Sequence, residues 1–129
     1  MIAVDTNILL RTIMRDDAKQ AAAAEKLLGD EEFFVPSTVW LELEWALRSI
    51  FKLPAPAIQA AMRILLGMNR MHSDISGEVS AALDRYALGY DFADALHLAL
   101  AGSCKRFATF DKALVKAARR ETSIEVFSP

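Results

Sequence analysis

The sequence predicts an α/β fold in which a largely parallel sheet is covered by helices on both faces. Its 129 residues include 22 alanines and 16 leucines against 5 glycines and 4 prolines, so helices should dominate. Short apolar runs rich in β-branched and aromatic residues alternate with helical segments, which is typical of parallel α/β proteins. Because 53% of the residues are hydrophobic and 25% are charged, the chain can bury a core, and residues 1–129 are expected to form one domain.

The predicted elements follow one another as short strands and longer helices. Strands are expected at 2–4, 33–35, 106–110 and 124–127, and a further short strand is considered near 68–72, where the pattern is weak. Helices are expected at 6–14, 17–28, 37–51, 55–66, 77–88, 92–101 and 112–120. Four glycines follow helices at positions where a left-handed C-cap is expected: Gly29, Gly67, Gly89 and Gly102.

The cysteine content and the chain start indicate the cellular setting. Cys104 is the only cysteine, so an internal disulfide is excluded, and a buried, inert thiol in a reducing compartment is expected. Only four residues precede the first charge at Asp5, which leaves no room for a secretion signal. The longest uncharged runs are about half the length of a membrane span. We therefore expect a cytoplasmic protein.

Charge is distributed unevenly along the chain. The formal net charge is −2, but residues 1–104 carry −5 and residues 105–129 carry +3. The basic side chains of the second segment could face nucleic acid, although solvated helix faces look the same: Lys105, Arg106, Lys112, Lys116, Arg119 and Arg120.

Aspartates stand where predicted strands end and helices begin. Asp5 follows the first strand, Asp111 follows the strand at 106–110, and Asp91 and Asp94 open the helix at 92–101. In parallel sheets, ligands bind at the carboxyl edge. Each aspartate taken singly is also a favoured helix N-cap. However, the helix after Asp94 is apolar nearly all round, and a buried carboxylate there would need a cation or hydrogen bonds.

Two glutamates on the predicted helix 37–51 differ in their neighbours. Glu42 borders the apolar face and has no counter-charge one turn away. Glu44 has Arg48 at i+4, which predicts an ordinary exposed ion pair. Glu42 is therefore the glutamate expected to serve a function.

Taken together, four segments resemble the PIN-domain ribonucleases and, within that family, the VapC toxins. They are Ile2-Ala3-Val4-Asp5-Thr6-Asn7, Glu42-Leu43-Glu44-Trp45-Ala46-Leu47-Arg48, Asp91-Phe92-Ala93-Asp94-Ala95-Leu96 and Ala108-Thr109-Phe110-Asp111. The resemblance implies a three-layer α/β/α PIN-like fold with a central, mainly parallel sheet. It also implies a shared set of catalytic and metal-binding carboxylates: Asp5, Glu42, Asp94 and Asp111.

The resemblance assigns accessory roles to neighbouring residues. Asp91 would assist from one helical turn before Asp94, Thr6 and Asn7 would support Asp5, and Thr109 would lie just outside the metal shell. The implied activity is hydrolysis of RNA phosphodiester bonds, the implied partners are RNA and a VapB-type antitoxin, and the implied assembly is a homodimer.

The residue chemistry agrees with a hard divalent cation. Four carboxylates carry about −4, and Mg²⁺ or Mn²⁺ would neutralise them, whereas zinc would require a His or Cys cluster. Such a metal polarises a phosphate oxygen and lowers the pKa of water, so no protein nucleophile is needed. Whether one or two metal ions bind, which RNA is cut and which antitoxin binds are left open by the sequence.

Two other functional classes were weighed. A catalytically silent PIN-fold module that binds a protein would lack metal ligands, and all four are present. A phosphotransfer domain with an aspartyl nucleophile would need a second aspartate in place of Asn7, or a lysine at a sheet edge, and neither pattern is found.

Aromatic and histidine residues are given structural interpretations. His97 is expected to be a hydrogen-bonded core residue and His72 a surface residue. Trp40, Trp45 and Phe51 are expected to pack in the core or at an interface rather than to stack on bases. The apolar surface of helices 37–51 and 55–66 could form a groove for a partner helix.

Overall fold

The computed structural model describes residues 1–119 and 123–129. Its internal contacts divide the chain into two compact units, Met1–Ser76 and Gly77–Pro129. Within the described residues, no helix is long and apolar enough to span a membrane. The predicted α/β architecture with parallel strands is confirmed.

In the first unit, parallel strands alternate with helices. The order is β1 (Ile2–Ala3), α1 (Thr6–Met14), α2 (Ala18–Asp30), β2 (Phe33–Phe34), α3 (Ser37–Ser49), α4 (Ala55–Leu66) and β3 (Met71–His72). β2 lies between β1 and β3, and Phe33 pairs with Ile2 on one side and with Met71 on the other. β3 confirms the weakly marked strand. Two backbone hydrogen bonds extend the pairing to the predicted strand ends. The Val4 N–H donates to the Phe34 carbonyl at 3.0 Å, and the Val35 N–H donates to the His72 carbonyl at 2.9 Å.

The core of the first unit lies between this sheet and its helices. Side chains from β2, α3 and α4 are fully buried there: Phe33, Trp40, Leu43, Leu47, Ile58 and Met62. Trp40 also donates from Nε1 to Ser73 Oγ at 3.0 Å, which satisfies its polar atom. Core packing is thus confirmed for Trp40 and is wrong for Trp45, which is 52% exposed. Phe51 is half-buried.

Three of the four predicted left-handed glycine C-caps are wrong. Gly89 alone of the four glycines has a positive φ, 100°. Gly29 lies inside α2, which continues to Asp30, where Lys26 Nζ contacts Asp30 Oδ2 at 2.5 Å. Gly67 ends α4 with φ −84°, which is not left-handed, and its N–H donates to carbonyls of the last turn. The left-handed C-cap of α1 is Arg15, with φ 53°.

The second unit continues the alternation. It contains α5 (Ser76–Ala87), α6 (Phe92–Leu100), β4 (Arg106–Ala108), α7 (Lys112–Ala118) and β5 (Glu125–Phe127). β4 and β5 are parallel, with Phe107 opposite Val126. The predicted strand 106–110 therefore ends earlier, although the Thr109 N–H still donates to the Phe127 carbonyl at 2.9 Å. The predicted helix end and the basic side chain at residue 120 lie outside the described residues.

Side chains of α5 and α6 form the core of the second unit. Val79, Leu83 and Leu96 are buried, and the rings of Tyr86 and Phe92 meet edge to face at 5.7 Å. The sequence predicted that α6 would be buried nearly all round. This prediction is wrong, because His97 and Leu100 face solvent. Cys104 is also exposed, so the predicted buried thiol is wrong. It lies in the segment between α6 and β4, which runs along the surface.

Candidate active site

Asp5 is placed by the junction between β1 and α1. It is the N-cap of α1, and its Oδ1 accepts a hydrogen bond from the Ile8 N–H at 3.2 Å. The interpretation as a helix cap is therefore confirmed. Capping uses one carboxylate oxygen of an exposed residue, and a carboxylate has a second oxygen that can accept a further bond. Asp5 can thus cap its helix and still bind a cation.

Thr6 links α1 to Glu42 of α3. Its buried hydroxyl donates a hydrogen bond to Glu42 Oε1. The sequence had predicted that Thr6 supports Asp5, and the structure corrects this: the Thr6 hydroxyl holds the carboxylate of Glu42. Glu42 itself is exposed on the surface of α3. Thr6, Asn7, Glu42 and Trp45 line a cleft of about 470 Å³ between α1 and α3.

Glu44 is where the helical-wheel argument fails. It is only 3% exposed, and both of its oxygens lie 3.1 Å from Arg48 Nε, so the predicted exposed ion pair is buried on the carboxylate side. The reason is that α3 packs against both α1 and α4. Two contact faces bury a wide arc of the helix, whereas a wheel assumes a single apolar stripe.

Arg11 is a candidate residue that the sequence analysis did not identify. It lines a second cleft, of about 570 Å³, together with Asp5 and Gln20. Its Nε donates to Gln20 Oε1 at 2.7 Å and its Nη1 to Asp16 at 3.3 Å, which fixes the guanidinium. Nη2 carries two further donors of the kind that bind phosphate. The spacing Asp5, Ile8, Arg11 places these residues on one face of α1, and this signal could have revealed Arg11.

In the second unit, three aspartates gather at the starts of α6 and α7. Asp91 is the N-cap of α6, and its Oδ2 accepts a hydrogen bond from the Asp94 N–H at 3.0 Å. Asp111 is the N-cap of α7, and its Oδ1 accepts from the Leu114 N–H at 3.1 Å. Thr109 Oγ1 accepts from the Asp111 N–H at 3.0 Å, so Thr109 positions Asp111. The capping interpretation holds for Asp91 and Asp111.

Asp94 is the carboxylate whose charge is least favourable. Its pKa is raised, first by partial burial and then by the negative charges of Asp91 and Asp111. The exposed His97 opposes this shift and lowers the pKa of Asp94. His97 therefore contributes to the electrostatics of the cluster, and its predicted core position is wrong. A bound cation would relieve the same repulsion.

The donor atoms suit a hard cation. The second unit offers the carboxylates Asp91, Asp94 and Asp111, and the first unit offers Asp5 and Glu42; all of these donors are oxygens, as Mg²⁺ and Mn²⁺ prefer. In residues 1–119 and 123–129, no three His, Cys, Asp or Glu side chains are arranged as a ready metal site.

The chain matches a known protein family. The family model of the PIN domain matches residues 2–120, a range that includes every candidate residue described above. No curated protein matches the chain.

Proposed function

We propose that this chain, which belongs to the PIN-domain family, is a metal-dependent endoribonuclease that hydrolyses RNA phosphodiester bonds. PIN domains are generally nucleases. The observation that supports the finer proposal is the proximity of Asp94 to Asp91 and Asp111, since partial burial and then their negative charges raise its pKa, together with the backbone N–H groups that hold the carboxylates of Asp91 and Asp111. Fixed carboxylates of this kind are the usual protein ligands of a catalytic divalent cation.

The proposed metal ligands and catalytic residues are Asp5, Glu42, Asp94 and Asp111, with Mg²⁺ or Mn²⁺ as the ion. When bound, the ion would polarise a phosphate oxygen and lower the pKa of an attacking water. The chain's own residues position several members of this set. Thr6 orients Glu42, Thr109 orients Asp111, and Asp91 fixes the first turn of the helix that carries Asp94.

Arg11 gives the proposed site a phosphate-binding group. It shares a cleft with Asp5, and its contacts with Gln20 and Asp16 reduce the side-chain entropy lost when a phosphate binds. We assign Arg11 to the binding of an RNA phosphate next to the cleaved bond.

The proposed biological role is that of a cytoplasmic VapC-like toxin, a homodimer that a VapB-type antitoxin inhibits. An apolar groove of about 480 Å³ supports a protein partner, and its walls come from α1, α2 and α4: Leu9, Ile13, Leu28, Ala61, Ile64 and Leu65. The groove predicted between helices 37–51 and 55–66 stays a prediction, and the groove described here shares only α4 with it. α3 instead turns its outer surface toward the cleft that contains Glu42.

The test is cleavage of total RNA by the purified protein, read by sequencing the new 5′ ends. Cleavage at defined sites is expected with Mg²⁺ or Mn²⁺, and none with excess EDTA. Asp94→Asn and Glu42→Gln, one from each unit, should abolish it. A folded wild type that binds no metal and leaves RNA intact would instead indicate a catalytically silent protein-binding module.

A further inference from the structure

Trp45 is an exposed aromatic residue next to the proposed catalytic carboxylate Glu42. The two residues are three positions apart on α3, so they lie on the same side of the helix. Trp45 is 52% exposed, whereas Trp40 on the same helix is fully buried and donates to Ser73. The core therefore uses one tryptophan and leaves the other at the surface.

The surroundings of Trp45 are those of a small binding cleft. The cleft is lined by apolar side chains of α1 and α3, namely Leu10, Leu41, Ala46 and Ile50, and by the polar side chains of Thr6, Asn7 and Glu42. Apolar and aromatic side chains beside a few hydrogen-bonding groups are the usual composition of a small-ligand site. The exposed Asn7 amide supplies both a donor and an acceptor to such a ligand.

The charge in the cleft selects among the parts of an RNA chain. Without the proposed cation the Glu42 carboxylate would repel a phosphate, so the apolar part of the cleft suits a nucleobase, which is neutral and has a π-face. A protein partner seated here would have to bury Glu42, and charged residues are depleted from the centres of protein interfaces. An unpaired base stacked on the indole fills the apolar part and leaves the carboxylate to the metal.

We propose that Trp45 stacks on an unpaired base of the RNA substrate and so places the neighbouring phosphate at the carboxylates. This inference rests on the proposed ribonuclease function. It makes Trp45 a substrate-binding residue and predicts that the enzyme cleaves single-stranded rather than paired RNA. Stacking on an aromatic side chain is tolerant of base identity, so Trp45 adds affinity at this position more than sequence selectivity.

Tryptophan fluorescence tests the contact directly. The probe is a single-stranded RNA dodecamer of random sequence, added in Ca²⁺ to slow cleavage, and the control probe is an abasic oligomer of the same length and charge. The base-containing RNA should quench the emission of the wild type, and the abasic oligomer should not. Trp45→Phe should lose the quenching, because the remaining Trp40 is buried.

Cleavage kinetics give a second, independent readout. Trp45→Ala should raise KM about tenfold with little change in kcat, and Trp45→Phe should recover most of the loss. The control is Leu88→Ala, an exposed apolar residue of the second unit at 66% against 52% for Trp45, which should leave both parameters unchanged.

Several results would overturn the inference. The first is that the abasic oligomer quenches the emission as much as the base-containing RNA does. The second is that Trp45→Ala keeps the wild-type KM. The third is that Trp45→Ala changes the oligomeric state of the protein but not its RNA affinity. The last result would identify a second copy of the chain as the occupant. Wild-type cleavage is measured first, so that absence of any cleavage is recognised as failure of the proposed function.

Discussion

Replacing Glu44 by glutamine should destabilise the protein while leaving its nuclease activity intact. The substitution keeps the side-chain volume and removes one negative charge from a carboxylate that is 3% exposed. Both of its oxygens lie 3.1 Å from Arg48 Nε, so the change weakens a buried, charge-assisted contact.

The size of the effect follows from the burial of the two partners. Removing one partner of a fully buried ion pair costs about 3–5 kcal/mol, and a hydrogen bond to a charged group contributes about 1.5–3 kcal/mol. The Arg48 side chain is 49% exposed, so water screens its charge and the smaller of these two estimates applies. We expect Glu44→Gln to lower the free energy of unfolding by about 1–3 kcal/mol.

Urea unfolding measures this difference, with Glu42→Gln as the matched control. The two variants make the same chemical change two residues apart on α3, one at a buried position and one at an exposed position. For an m value of about 2 kcal/mol/M, the midpoint of Glu44→Gln should fall by about 0.5–1.5 M. Glu42→Gln should stay within about 0.5 kcal/mol of the wild type and should lose metal-dependent cleavage.

The reasoning would be refuted by stability values in the opposite order. If Glu44→Gln unfolds at the wild-type midpoint, Glu44 is not held in a buried pair. If Glu44→Gln loses cleavage while Glu42→Gln keeps it, the assignment of the two glutamates is reversed.

Three further predictions concern individual side chains. Because the folded pKa of Asp94 is raised above its ordinary value of 3.8, its ionisation disfavours the folded state at higher pH; Asp94→Asn should therefore melt above the wild type in EDTA at pH 7. This difference in melting temperature should shrink as the pH falls through the folded pKa toward 3.8. Mn²⁺ should raise the melting temperature of the wild type only. An equal rise in both proteins would refute the metal assignment. Thr6→Val should reduce cleavage at least severalfold with the far-UV circular dichroism unchanged, since it removes the donor to Glu42; undiminished cleavage would show that Glu42 needs no such support. Cys104 should react with a thiol reagent in the native state as fast as in urea, and strong native protection would contradict its exposure.

Local sequence signals predicted the elements well where a residue fixes a helix end by itself. α1 and α4 have the predicted bounds because Asp5 caps the first and Pro54 and Pro56 mark the start of the second. The start of α7 follows in the same way from Asp111. The candidate aspartates could be found for the same reason, since they stand at these junctions.

Contacts between distant elements were not predictable from one sequence. Thr6 and Glu42 are 36 positions apart, so nothing local indicated that the hydroxyl serves Glu42 rather than Asp5. The burial of Glu44 depends on the packing of α3 against two other helices, and the exposure of Trp45 depends on the cleft beside α1. These are tertiary effects that override helical periodicity.

The central claim is that carboxylates of this chain catalyse metal-dependent hydrolysis of RNA. The most direct measurement is the chemistry of the ends formed when the wild type cuts an end-labelled single-stranded RNA with and without Mn²⁺. Attack by water with departure of the 3′-oxygen predicts a 5′-phosphate and a 3′-hydroxyl, formed only when Mn²⁺ or Mg²⁺ is present. Cleavage in excess EDTA, or a product ending in a 2′,3′-cyclic phosphate, would contradict the claim.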